Sequence, residues 1–282
     1  MQHFIRRFLC IAILACHVHA EEAPVPSQDW LEKPITIPAR QLDIRSEHTK
    51  RVHRIFVHVP KAPAPENGYP ILYLLDGNVT YPLATLLLEN MAERSAAHGI
   101  TPGIIVGVGY PVNTEIDSVG RTEDYTPPAP DLTATGDPSG NPQGGADRFL
   151  DFLEKELKPR LAKDFKIDAN RQALFGHSYG GLFTLHTLFT RPGSFQRYFA
   201  ASPSIWWNQR YILTEKAAFL DRKDSAGTSG MVRFTVGSLE QSPSPLQQAN
   251  PRAKQVADRR QVDNSRELSA ELAAPTPPFV LD

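Results

Sequence analysis

Gly176-His177-Ser178-Tyr179-Gly180-Gly181 sets a serine among small residues. Apolar Ala173-Leu174-Phe175 leads in, and helix-forming Leu182-Phe183-Thr184-Leu185 leads out. A strand-turn-helix elbow of this kind holds a serine hydroxyl exposed on a strained backbone, and the glycines leave room for the turn. The helix start beyond the serine favours the negative charge that develops when a hydroxyl attacks a carbonyl. The chemistry such residues suit is nucleophilic acyl transfer, with Ser178 as nucleophile.

That chemistry needs an oxyanion hole. In an elbow, one donor is the backbone N–H of the following residue, here Tyr179. The second comes from the loop after an earlier strand. Asp76-Gly77-Asn78 follows the apolar run Ile71–Leu75, so the Gly77 or Asn78 N–H is the candidate. The alternative is an ordinary Asp-Gly turn.

A serine also needs a general base. The expected chain order is serine, then an acid, then histidine. Glu240, in Val236-Gly237-Ser238-Leu239-Glu240, stands where the acid belongs, after the run Val232–Val236. It is either that acid or a surface loop glutamate. Asp258 and Asp263 fall in a helical pattern and fit less well. The nine histidines are His3, His17, His19, His48, His53, His58, His98, His177 and His186, so none follows His186. His177 adjoins the serine, but adjacent side chains at a turn point apart. His186 lies about 12 Å along the following helix by its rise per residue, and reads as a core histidine.

These residues need elements to position them. Apolar runs at Val52–Val59, Ile71–Leu75, Ile104–Val108, Ala173–Phe175, Phe199–Ala201 and Val232–Val236 predict strands. The continuous runs suit strands buried on both faces. Helical patterns fall at 83–97, 145–163, 181–190 and 252–273. The alternation predicts an α/β fold, with a mostly parallel central sheet and helices on both faces. Residues 111–144 and 237–251 read as loops, the first long enough to be a lid.

Apolar residues make up 41% and charged residues 22% of the 282, which are globular values. A net charge of -1 excludes nucleic-acid binding through a global basic field. Arg6-Arg7, the apolar run Phe8–Cys16 and the small-residue end Val18-His19-Ala20 predict a signal peptide over 1–20 and export to the periplasm. Residues 21–33 read as an arm and 34–282 as the folded domain. The two cysteines, Cys10 and Cys16, both fall in the leader. The mature chain then has no disulfide and no thiolate metal site.

At these residues the chain resembles the putative-esterase family of α/β-hydrolases, and within it the periplasmic enterobactin esterases. Tyr73-Leu74-Leu75-Asp76-Gly77-Asn78, Arg121-Thr122-Glu123-Asp124-Tyr125-Thr126-Pro127, Gly176–Gly181 and Ala201-Ser202-Pro203-Ser204-Ile205-Trp206-Trp207 carry the likeness. It runs from about Pro34 to about Ala273. The resemblance implies a substrate: the esters of a ferric tris-catecholate, polyanionic and aromatic. Arg121 would then be a charge partner or a solvated loop arginine. Trp206 and Trp207 would pack on catechol rings or in the core, with the core expected for at least one of them. No cofactor or metal is implied. Relatives continue past the helix near Ala274 with a last strand and a histidine loop. Pro275 to Asp282, with three prolines, is too short for both. The expectation is therefore a C-terminally incomplete esterase with both missing. The alternatives are a siderophore-binding pseudoenzyme and an esterase or acyl transferase of other specificity.

Overall fold

Strand β3, Tyr69–Leu75, lies in the middle of the sheet. Its neighbour β4, Ile104–Gly109, is buried at every position, as a strand covered on both faces must be. The computed structural model describes residues 37, 39–93, 99, 101–221, 230–242, 244–245, 251, 253–273 and 279–281. The expected leader over 1–20 and the arm over 21–33, with both cysteines, lie outside the described residues. Among the described residues, no helix is long and apolar enough to cross a membrane.

The remaining strands are β1 (Arg40–Arg45), β2 (Val52–His58), β5 (Ile167–His177), β6 (Arg197–Ala201), β7 (Gly230–Thr235) and β8 (Phe279–Leu281). They form one sheet in the order β1-β2-β4-β3-β5-β6-β7-β8. β1, β2 and β4 pair antiparallel, and every pairing from β4 through β8 is parallel. The predicted α/β class is what forms. Edge strand β1 was not predicted, because its sequence is polar and largely exposed.

One expectation is corrected: a last strand is present. Phe279–Leu281 pairs in parallel with Gly230–Val232 of β7. Pro275, Pro277 and Pro278 precede these three residues, so each keeps the N–H a ladder needs.

The helices are α1 (Gly77–Glu93), α2 (Ser118–Asp124), α3 (Ala146–Phe152), α4 (Lys158–Asp164), α5 (Tyr179–Thr190), α6 (Ile212–Leu220), α7 (Ala253–Asp258) and α8 (Gln261–Leu272). α3 and α4 are one run joined by a π turn, Leu153–Leu157. Helix α5 is buried from Tyr179 to Phe189. It is buried all round, polar Thr184, His186 and Thr187 included. Phe183 meets Phe149 edge-on at 5.0 Å, and Tyr125 meets Phe149 at 5.3 Å.

Two predicted elements change. The helix over 252–273 breaks at Arg260, which takes a left-handed φ of 49°. The long loop over 111–144 contains α2, which Asp117 caps by accepting from the Val119 and Gly120 N–H groups.

Candidate active site

Ser178 sits between β5 and α5 at φ 59° and ψ −116°. A non-glycine residue is strained there, and surrounding contacts must hold it. Ser178 N–H donates to Ala201 O at 2.9 Å, and Ser178 O accepts from Leu182 N–H at 3.0 Å and Ser204 N–H at 3.1 Å. Gly176 is required for the bend, since a Cβ there would lie 2.1 Å from Gly180 O. The Ser178 hydroxyl faces the Ser204 hydroxyl at 3.3 Å. Ser204 is buried, and only the tryptophans of its Ser-Pro-Ser-Ile-Trp-Trp stretch had been singled out from sequence.

The elbow is one of three left-handed residues that directly follow a strand, among the described residues. Asp76 (φ 53°), Ser178 (φ 59°) and Ser202 (φ 43°) follow β3, β5 and β6, neighbours in the sheet. Each opens a loop on the same side, at the carboxyl ends of the strands. After Asp76 the chain enters α1. A Cβ on Gly77 would stand 2.6 Å from the Gly107 carbonyl carbon, so this turn lies directly against β4. The Asn78 side chain clamps the Tyr110 backbone at 3.0 and 2.9 Å. Among the described residues the N–H groups of Gly77, Asn78 and Tyr179 donate to no backbone carbonyl. They belong to the first turns of α1 and α5, where N–H groups lack helical partners.

Arg121, expected as a charge partner for ligand, is already paired. It donates two parallel hydrogen bonds to Asp76, at 2.8 and 3.0 Å, with its side chain 12% exposed. Its guanidinium also lies 5.5 Å from the ring centroids of both Tyr125 and Tyr179. The Tyr125 hydroxyl accepts the Asp76 N–H at 3.1 Å. The Arg121–Tyr125 stretch therefore braces the β3 turn against the elbow.

The two tryptophans divide. Trp207 is fully buried and donates its indole N–H to Gln143 at 2.6 Å, so it is a core residue. Trp206 is half-buried. Its ring lies 5.9 Å from that of Tyr179, and Arg259 stacks on it at 3.8 Å. Tyr179 donates its hydroxyl to Asp137 at 2.6 Å. The 111–144 segment is thereby tied to the elbow.

Glu240 lies in the loop after β7 and accepts from the Ser202 hydroxyl at 2.6 Å and the Gly237 N–H at 2.7 Å. Its partners are thus the strained Ser202 and its own turn. Among the described histidines, His177 is exposed beside Ser178. His53 is buried and stacked on Phe152, and burial, then Arg51, lower its pKa to about 3. His186 is buried between Glu215 and Asp147. Burial alone would lower its pKa, but hydrogen bonds to Asp147 and Glu215 outweigh that and raise it to about 9. No described imidazole bonds to Ser178.

A cavity of about 800 Å³ lies at the opposite, amino ends of the strands, lined by residues such as Leu72, Leu88, Ile105, Phe199 and Met231. The polar convergence around Ser178 is elsewhere.

A family model described as "Putative esterase" matches residues 46–270. The chain belongs to this esterase family. It is similar to ferri-bacillibactin esterase BesA of Bacillus subtilis, 35% identical over 240 residues, covering 84% of this chain and 82% of the relative. Siderophore triacetylfusarinine C esterase of Aspergillus fumigatus is 43% identical over 212 residues (72% and 69% covered). Siderophore enterobactin esterase of Emericella nidulans is 39% identical over 215 residues (72% and 70% covered). The crystal structure of BES protein from Bacillus cereus superposes with a TM-score of 0.76 at 34% identity, covering 89% of each chain.

Proposed function

We propose that this chain is a siderophore esterase, acting on the ester (trilactone) bonds of a ferric catecholate siderophore such as enterobactin, with Ser178 as nucleophile. The observation that carries the reading is the strained Ser178 elbow at the start of α5, on the neighbouring strand to the Asp76 turn that opens α1. In the reaction, Ser178 Oγ bonds to the ester carbonyl carbon. The carbonyl oxygen becomes an oxyanion, which the N–H groups of Tyr179 and of Gly77 or Asn78 would receive. The alcohol leaves with a proton, and water then releases the acid from Ser178. The half-buried Trp206 offers a ring face to a catechol. The names of the relatives support the substrate class.

A second reading has its own observation. The Ser178 hydroxyl faces Ser204 rather than an imidazole among the described residues. A serine without a base is a poor nucleophile. A binding protein on an esterase scaffold fits that feature. One experiment separates the two. The chain is mixed with ferri-enterobactin and with ferric triacetylfusarinine C, and products are followed by mass spectrometry. Linear products from ferri-enterobactin support the catecholate esterase, and cleavage of the other ligand alone moves the specificity. Binding without cleavage supports the second reading. The leader-like start favours export to the periplasm with removal of residues 1–20, and an intact Met1 on the mature protein would overturn that.

A further inference from the structure

We propose that the cavity at the amino ends of the strands is a second binding site, and that its occupant is a free long-chain carboxylate. The cavity lies at the opposite end of the strands from Ser178, so the site stands or falls independently of the esterase reading.

The sheet builds the floor. Strand pairing sets Ile105, Leu72, Ala173, Arg197 and Met231 side by side across β4, β3, β5, β6 and β7. Side chains alternate between the two faces along a strand, so residues paired across parallel strands share a face. All five line the cavity, and Leu88 and Glu89 of α1 form a wall beside them. Where α1 packs, this face holds a buried cluster of Leu74, Tyr81 and Ile105. Further across the sheet, Leu72, Phe199 and Met231 are only partly buried. The volume of about 800 Å³ falls within the roughly 300–1,000 Å³ of small-molecule sites, which are mostly apolar with a few placed polar groups.

Charge selects the occupant. Lys61, Arg171 and Arg197 line the same cavity and are exposed at its rim. None of the three forms an ion pair or a side-chain hydrogen bond among the described residues. Glu89 is the one acid among the lining residues, and its Oε1 lies 3.7 Å from His58 Nδ1. The rim is therefore net cationic. The two arginines stand close together: they flank Gln172 and Gln196, whose strands are joined by Gln172 N–H to Gln196 Oε1 at 2.9 Å and Gln196 N–H to Gln172 O at 3.0 Å. A guanidinium fork matches a carboxylate in two parallel hydrogen bonds. An apolar floor with free guanidinium groups at its edge fits a ligand with a hydrocarbon body and one anionic end. The chain lies along the Leu72–Met231 row, and the carboxylate meets Arg171 and Arg197.

The test measures binding. The probe is cis-parinaric acid, a fluorescent long-chain carboxylate, titrated into wild type, Leu88→Trp and the double variant Arg171→Glu/Arg197→Glu. Monomeric decanoate, dodecanoate and decyltrimethylammonium then compete with it. Circular dichroism melts check that the variants fold, and the double variant, at exposed positions, decides the matter if Leu88→Trp does not. Dodecanoate is expected to compete about tenfold better than decanoate, because two more methylenes leave water. Decanoate is expected to compete at least about tenfold better than decyltrimethylammonium, which has the same chain and the opposite charge. Leu88→Trp, which narrows the cavity, should weaken both carboxylates, and the double variant should erase the preference for the anion. Absence of saturable probe binding, equal competition by the two ten-carbon ions, or wild-type behaviour of the double variant overturns the assignment. Binding to phosphatidylglycerol vesicles with no monomeric carboxylate bound overturns it too, in favour of a membrane surface. None of these outcomes bears on the esterase reading, whose own test is ester cleavage.

Discussion

Arg121 and Asp76 are joined by two parallel N–H···O bonds, of 2.8 and 3.0 Å, between α2 and the end of β3. The carboxylate is 7% exposed and belongs to a residue with φ 53°. Removing the cation leaves that charge buried and uncompensated. Arg121→Ala is expected to cost roughly 3 kcal/mol, measured by urea unfolding, and Arg121→Lys less, because it keeps a charge but loses the fork. An unchanged unfolding midpoint for Arg121→Ala would contradict the bracing role.

Glu240 accepts from Ser202 and Gly237 through one oxygen, Oε1. Glu240→Gln retains an amide oxygen at that place, and Glu240→Ala does not. The alanine variant is expected to lose about 1–2 kcal/mol of stability, and the glutamine variant to stay close to wild type in both stability and ester hydrolysis. A large loss of turnover in the glutamine variant alone would instead make Glu240 the acid of a catalytic triad.

His186 gives the fold a pH dependence. Its folded pKa is raised from 6.5 to about 9. A raised basic group adds stability that is complete below the unfolded value and is lost as pH climbs through the folded one. Unfolding free energy should therefore fall between about pH 6.5 and 9. His186→Gln should flatten that slope and cost roughly 3 kcal/mol at pH 6, because it leaves Glu215 buried beside a neutral group. A parallel slope in the variant would assign the dependence elsewhere.

The elbow was legible in the sequence because it is local: strand, turn and helix follow within a dozen residues, and each glycine has a steric reason. The parallel sheet was legible because Ile104–Val108 and Ile71–Leu75 are apolar without alternation. The role of Arg121 was not, since its partner Asp76 lies 45 residues away and nothing in Arg121-Thr122-Glu123 marks a buried ion pair. Trp206 and Trp207 are adjacent and identical in type, so only packing could set one beside Tyr179 and the other in the core. Ser204 escaped notice because a serine beside proline reads as a turn. Strand β1 escaped because edge strands need no apolar run.

The central claim is that Ser178 is a nucleophile in a siderophore ester site whose described surroundings provide the elbow and the N–H donors but no imidazole on the hydroxyl. Imidazole added from solution can serve as a base at that hydroxyl. The most direct measurement is the rate of ferri-enterobactin hydrolysis against imidazole concentration, for wild type and Ser178→Ala. Wild type alone should be slow, near the residual level that binding and an oxyanion hole support, about 10³–10⁴-fold over water. Its rate should rise with imidazole well beyond that of Ser178→Ala. Equal imidazole dependence in the two proteins would contradict the claim, as would fast hydrolysis by Ser178→Ala without imidazole.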